Sequence, residues 1–246
     1  MKNYFNKSIF AYYMKILSNY SSLKEKIKEV CETVGRDPDE ITIVAVSKTF
    51  PFTRIIELNS VGHADFGENK IREMRDKYYN ISFQYSGKIN WHMVGHLQSN
   101  KVKDIIAFIH LIHSVDTFNL AEVIDSTAKR INRKIDILVQ VNTSNEEQKY
   151  GVLPEEAESL CRQISLLENI NVKGLMTIAK LTDDRDEIRR SFRTLKELFD
   201  KMKSDFSDFK YLSMGMTNDF DIAIEEGANM LRIGSAIFGE RPVIVE

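Results

Sequence analysis

The chain has 246 residues, 43% of them hydrophobic, and a formal net charge of −2. That is ample for a large core, in one big α/β domain or two smaller ones. The near-balanced charge gives no sign of a surface for nucleic acid or another polyanion, and no apolar stretch reaches the roughly 20 residues that span a bilayer.

In chain order, the opening "MKNYFNKSIFAYYMKIL" is aromatic and mildly basic. It lacks the long apolar region and small-residue cleavage site of a signal peptide. Residues 1–13 are therefore expected to be an extension or a misassigned start ahead of Met14, residues 14–246 one domain, and the location cytoplasmic. An amphipathic segment over residues 8–34 precedes the first strand. Apolar runs that read as strands follow at "ITIVAVSK" (41–48), "HADFGEN" (63–69), "NWHMVG" (90–95), "LIHSVD" (111–116), "KIDILVQVN" (134–142), "NVKGLMTI" (171–178), "YLSMGM" (211–216) and "MLRIGS" (230–235). Between them lie segments with apolar residues at helical spacing, such as "LPEEAESLCRQISLLENI" and "EIRRSFRTLKELFDKMK". Cys31 and Cys161 fall in such segments with no CxxC or Cys/His cluster nearby, and read as reduced thiols.

Strands alternating with helices predict a parallel sheet. Eight of them close a (β/α)₈ TIM barrel, and the length agrees with the about 250 residues typical of that fold. A doubly wound open sheet is the alternative, but no GxGxxG follows the first strand. After the eighth strand only "AIFGERPVIVE" remains, too little for a full closing helix. The segment over residues 8–34 is expected to cover that gap as an extra helix.

Barrel active sites are built at the carboxyl ends of the strands. Those ends read Lys48, Asn69, His96, Asp116, Asn142, Thr177, Ser213 and Ser235. Strand ends are polar in any case, which accounts for part of the series. Two residues stand out. Lys48 continues the row of Thr42, Val44 and Val46, because side chains alternate along a strand. It either snorkels to solvent or is a desolvated amine able to form a Schiff base. Arg232 points into the barrel if Leu231 and Ile233 face the helices. A charge there is costly unless paired, so it meets either Asp65 or Asp116 in an ion pair or a polar group of a ligand.

Gly234 and Ser235 follow strand eight, and Ser213 to Thr217 end strand seven before a helix start at Thr217, Asn218 and Asp219. Loops after strands seven and eight are the usual phosphate site of this barrel. A glycine lets the backbone approach, exposed N–H groups bind an anion, and hydroxyls add donors. A Schiff-base lysine, a phosphate site and an arginine between them fit pyridoxal 5′-phosphate (PLP). Its aldehyde would meet Lys48, its phosphate Ser213 and Ser235, and its ring nitrogen Arg232. An arginine there disfavours ring protonation and makes a weaker electron sink.

The stretches "AVSKTFP", "HADFGENKIREM", "WHMVGHLQSNKV", "HSVDTFNLAEVI", "GLMTIA" and "LSMGMTNDFDIAIEEGANMLRIGSAIFGER" resemble the YggS/PROSC pyridoxal phosphate homeostasis family from about residue 15 to 242. "WHMVGHLQSNK" is particularly specific to it. The resemblance implies the amino-terminal barrel of alanine racemase and a cofactor lysine at Lys48. It also implies Asn69, Thr177 and Met214 lining the site, Ser213, Gly234 and Ser235 on the phosphate, and Arg232 near the ring nitrogen. "NTSNEEQKYGV" departs from the more glycine- or alanine-rich loop of relatives, and residues 1–13 match nothing in the family.

Racemases of this type use a second base, a tyrosine from a partner chain held near a separate carboxy-terminal domain, which this sequence is expected to lack. No second base is identifiable. Tyr150 reads as an exposed loop tyrosine, and His63, His92 and His96 as packing or hydrogen-bonded barrel residues. The resemblance therefore implies a PLP carrier rather than an enzyme. It would buffer and deliver the cofactor by reversible imine exchange, with indirect effects on amino- and keto-acid balance. PLP-dependent apoenzymes are the expected recipients, with no nucleic acid, membrane or metal, and a monomer is expected. A narrow PLP-dependent racemase or lyase, and a Schiff-base aldolase without PLP, are the competing readings.

Overall fold

The computed structural model describes residues 2–240 apart from 145, 147 and 207, with side chains from Met14 onward. Eight parallel strands close in sequence order: β1 (Thr42–Val46), β2 (Asp65–Glu68), β3 (Asn90–Met93), β4 (Ile109–Val115), β5 (Ile135–Gln140), β6 (Ile170–Met176), β7 (Tyr211–Ser213) and β8 (Met230–Ile233). The barrel reading holds, and the open sheet does not, because β1 pairs with both β2 and β8.

The helices are α1 (Lys2–Thr33), α2 (Phe52–Asn59), α3 (Ile71–Gln84), α4 (Phe118–Arg130), α5 (Pro154–Ile164), α6 (Arg185–Lys203), α7 (Phe220–Glu225) and α8 (Ser235–Phe238). Local sequence sets their starts. Thr117 accepts the Leu120 N–H ahead of α4, Asp184 accepts from Asp186 and Glu187 ahead of α6, and Pro154 opens α5. Between β3 and β4 a 3₁₀ segment, Ser99–Asp104, replaces an α-helix.

The strands are buried on both faces, which is why they read as apolar runs. Val44, Leu111, Leu138, Met176 and Met230 fill the interior, while Ala45, Leu231 and Ile233 belong to the layer under the helices. This is the alternation expected for Arg232. The register Val44↔Arg232 sets it beside β1.

The extra helix docks where the barrel would otherwise gape. Ile16, Leu23, Ile27 and Cys31 form its buried stripe. Asn19 Nδ2 donates to the Ile237 carbonyl of α8 at 3.0 Å. Arg36 Nη1 donates to the carbonyls of Ile224 and Ala228 at 2.9 and 2.8 Å. The expected extension, residues 1–13, lies almost wholly in α1, and its side chains are outside the described residues. Cys31 and Cys161 are buried free thiols, and burial pushes Cys161 up to about 12. No helix among the described residues is long and apolar enough to cross a membrane.

Candidate cofactor site at the carboxyl end of the barrel

Strand β1 ends two residues before Lys48, so the lysine sits in the β1–α2 loop, half-buried. Its neighbours are anchored from outside the barrel. Glu68, at the end of β2, is fully buried, and its Oε1 accepts from Ser47 Oγ at 2.6 Å and from Lys77 Nζ of α3 at 2.7 Å. Lys77 also donates to Ser47 O at 2.8 Å and Glu73 Oε1 at 2.7 Å. Glu73 Oε1 in turn accepts the Thr49 N–H at 2.6 Å. That bond holds a β-branched residue at φ 69°, a left-handed conformation that costs about 1–3 kcal/mol. Burial pushes the Glu68 carboxyl up to about 7 against the opposing pull of Lys77 and Ser47. Its Oε2 has no hydrogen-bond partner among the described residues.

Inside the barrel, Arg232 is 4% exposed. Its Nη1 donates to Ser213 Oγ and its Nη2 to the Thr177 carbonyl, both at 2.8 Å. Three of the residues singled out in the sequence thus meet. The ion-pair alternative fails. Asp65 accepts from His92 and Asn90 at the amino-terminal mouth, and Asp116 sits near His96 and Gly151. Burial lowers the guanidinium to about 10, opposed by the field of Asp219, so it remains charged at neutral pH. A buried cation whose direct partners are neutral oxygens keeps its field available to an electron-rich ligand atom.

Two of the expected site residues have their side chains engaged elsewhere. Ser213 was expected on the phosphate, but it is fully buried and its Oγ is engaged by Arg232 and by His113 Nδ1 at 3.1 Å. Met214 was expected to line the site, but alternation turns it into the layer between barrel and helices, where it is fully buried. Thr177 contributes its carbonyl. Its hydroxyl donates to Val141 O at 2.7 Å and contacts Thr143 Oγ1 at 2.9 Å.

The loops after β7 and β8 converge as expected. Thr217 Oγ1 accepts the Ala236 N–H at 3.3 Å and lies 3.2 Å from Ser235 Oγ, which donates to it. Thr217, Ser235, Ala236 and Gly239 line a cavity of about 590 Å³ with Lys15 and Asn19 of α1. Gly234 lies against β1, where an added Cβ would sit 3.4 Å from Val46 O. A Cβ at Gly67 would come within 3.0 Å of Val44 and 3.3 Å of Val94, so glycine lets these side chains pack closely against β2. Asn69, one residue past β2, is half-buried and borders an outer cleft with His96 and Lys101. These groups could hold a phosphorylated aldehyde: an amine, hydroxyls beside a glycine turn, and a buried guanidinium.

A sequence model described as the N-terminal domain of alanine racemase matches residues 18–242. A pyridoxal phosphate homeostasis protein of Aquifex aeolicus is 38% identical over 229 residues, covering 93% of this chain and 99% of that one. This chain belongs to the pyridoxal phosphate homeostasis family. Among solved structures similar to this family member, a protein of Bifidobacterium adolescentis described as unknown has a TM-score of 0.88 at 31% identity, with 93% and 96% of the two chains covered. PipY of Synechococcus elongatus PCC7942, solved with PLP bound, has a TM-score of 0.78 at 28% identity, covering 92% and 100%.

For a pyridoxal phosphate homeostasis family protein, the sequence reading missed three groups of residues. Thr217 belongs to the loop after β7 expected at the phosphate, but its hydroxyl was not singled out there. The Glu68–Lys77–Glu73 network went unread, although Glu73 and Lys77 stand at the i,i+4 spacing of a helix. His113 lies in "HSVD" but was given no role. His96 and Tyr150 stack with ring centroids 3.8 Å apart, which agrees with reading His96 as a packing residue.

Proposed function

We propose that this protein binds PLP covalently through Lys48 and serves its homeostasis, holding the cofactor and releasing it to recipients. The bound cofactor supplies an aldehyde that condenses reversibly with a primary amine. Lys48 supplies that amine, in a loop whose two neighbours are hydrogen-bonded to the Glu68–Lys77–Glu73 network. Thr217, Ser235 and the backbone at Gly234 bind the phosphate, Asn69 and Thr177 line the site, and Arg232 faces the ring nitrogen. A fixed positive charge at that nitrogen disfavours a proton there. The observation that carries this reading is Arg232: a buried guanidinium bonded only to neutral oxygens among the described residues, in a barrel similar to that of PipY, which was solved with PLP bound.

Holding rather than turning over is the second half of the proposal. The curated relatives are named as homeostasis proteins. The domain comprises residues 14–246 and acts as a cytoplasmic monomer, with PLP-dependent apoenzymes as recipients.

The test is the visible spectrum of purified protein before and after borohydride, for wild type and Lys48→Ala. A yellow wild type with a reducible band, beside a variant lacking it, is expected. A wild type that stays colourless with added PLP would refute the cofactor reading and favour an aldolase. Incubation with amino acids in deuterated water is expected to give no α-proton exchange, and sustained exchange would make the protein a racemase or lyase.

A further inference from the structure

A line of hydrogen bonds crosses the barrel interior from its amino-terminal mouth to Arg232. Asp65 Oδ1 lies 3.0 Å from His92 Nε2, His92 Nδ1 lies 3.0 Å from His113 Nε2, and His113 Nδ1 lies 3.1 Å from Ser213 Oγ. Ser213 Oγ then accepts from Arg232 at 2.8 Å. His92, His113 and Ser213 are at most 1% exposed, so most of this path is shielded from bulk solvent.

With one proton on each ring, the donors and acceptors along this line allow a single arrangement. Burial raises the Asp65 carboxyl, but the hydrogen bonds from His92 and Asn90 outweigh it and hold the group below its ordinary range. It is therefore a carboxylate and can only accept. His92 must then carry its proton on Nε2, which leaves Nδ1 bare. A bare Nδ1 accepts, so His113 must donate from its own Nε2. Burial, with the Arg232 guanidinium adding to it, holds His113 well below the imidazole range, so it is neutral and its Nδ1 is bare as well. Ser213 must point its hydroxyl proton at His113. Its lone pairs then face the guanidinium, which can only donate.

We propose that Asp65, His92 and His113 are positioning residues for the cofactor site. Through an obligatory sequence of donors they fix the Ser213 hydroxyl proton toward His113, so that Ser213 acts as a pure acceptor for Arg232. The chain orients the guanidinium and keeps that hydroxyl from competing for the bound ligand. This rests on the reading of Arg232 as a cofactor residue. Other charged or titratable groups facing the line are His63 beside β2, His110 on β4 and Arg232 on β8, with Lys88 and Asp136 further out at the same mouth.

Long-range ¹H–¹⁵N correlation spectra of the full chain test the arrangement without any cofactor. Both His92 and His113 are expected to carry their single ring proton on Nε2. A proton on Nδ1 of either ring would overturn the proposal. A PLP titration tests the consequence. His113→Gln presents an amide N–H toward His92 and an amide oxygen toward Ser213, and is expected to bind PLP within about twofold of wild type. His113→Leu removes both partners and is expected to weaken binding by about tenfold or more. A folded His113→Leu protein that binds as tightly as wild type would overturn the positioning role. Failure of the wild type itself to bind PLP would instead defeat the proposed function, and the tautomer spectra would still decide the chain.

Discussion

Outside the barrel, Lys77 meets Glu68 and Glu73; inside it, Arg232 meets a serine hydroxyl and a backbone carbonyl. Both cations are buried, and they lie on opposite faces of the same sheet. The outer one is matched by two carboxyls and ties the β1 loop to α3. The inner one is held by neutral oxygens, while the nearest strand-borne carboxylate of its hydrogen-bonded line, Asp65, stands at the far mouth behind two histidines. Matching neutralises a charge and makes structure. Holding a charge with neutral groups leaves its field for something else, and in this barrel that field lies beside the glycine-bearing loops after β7 and β8.

The contrast can be broken from either side. Lys77→Met leaves Glu68 buried without its cation, and is expected to destabilise the protein by about 3–5 kcal/mol, read by denaturant unfolding. A loss below about 1 kcal/mol would remove the distinction between the two clusters. Glu68 gives a pH signature of the same network. Its folded value of about 7 lies above the ordinary 4.5, so the folded state holds the proton more tightly. The stability this group contributes is therefore full below about pH 4.5 and lost as pH rises to about 7. Relative to Glu68→Gln, wild type is expected to lose on the order of 2–3 kcal/mol across that interval.

On the inner side, Arg232→Met is expected to weaken PLP binding by more than about tenfold, because a hydrogen bond to a charged group is worth about 1.5–3 kcal/mol. Replacing a buried cation by an apolar side chain should change unfolding stability far less than Lys77→Met does. Thr217→Ala should weaken PLP binding by about fivefold, the size of one neutral hydrogen bond. Ser235→Ala, at an exposed hydroxyl, should do no more.

Much of this was legible because a parallel barrel writes its strands as apolar runs. "MLRI" alternates cleanly enough that Arg232 could be put on the inner row before any fold was known, whereas β1 stops short of Lys48, which lies in the following loop. The eight runs and their polar ends identified the mouth. What stayed hidden depends on register between strands distant in sequence. That His113 meets both His92 and Ser213 follows from the closing of the sheet, and it diverts the Ser213 hydroxyl from the phosphate role its position suggested. The Met214 side chain turns away from the interior for a simpler reason: it follows an inward Ser213 in the alternation. The partnership of Lys77 with Glu68 required α3 to lie on the outer face of β2, which spacing along α3 alone does not specify.

The central claim is that Lys48 is the residue that holds the cofactor. Reduction of PLP-loaded wild type with borohydride, followed by peptide mass mapping, tests it most directly. The account predicts one pyridoxyl group on the peptide containing Lys48 and none there in Lys48→Ala. A pyridoxyl group found on a different lysine, with Lys48 unmodified, would contradict it.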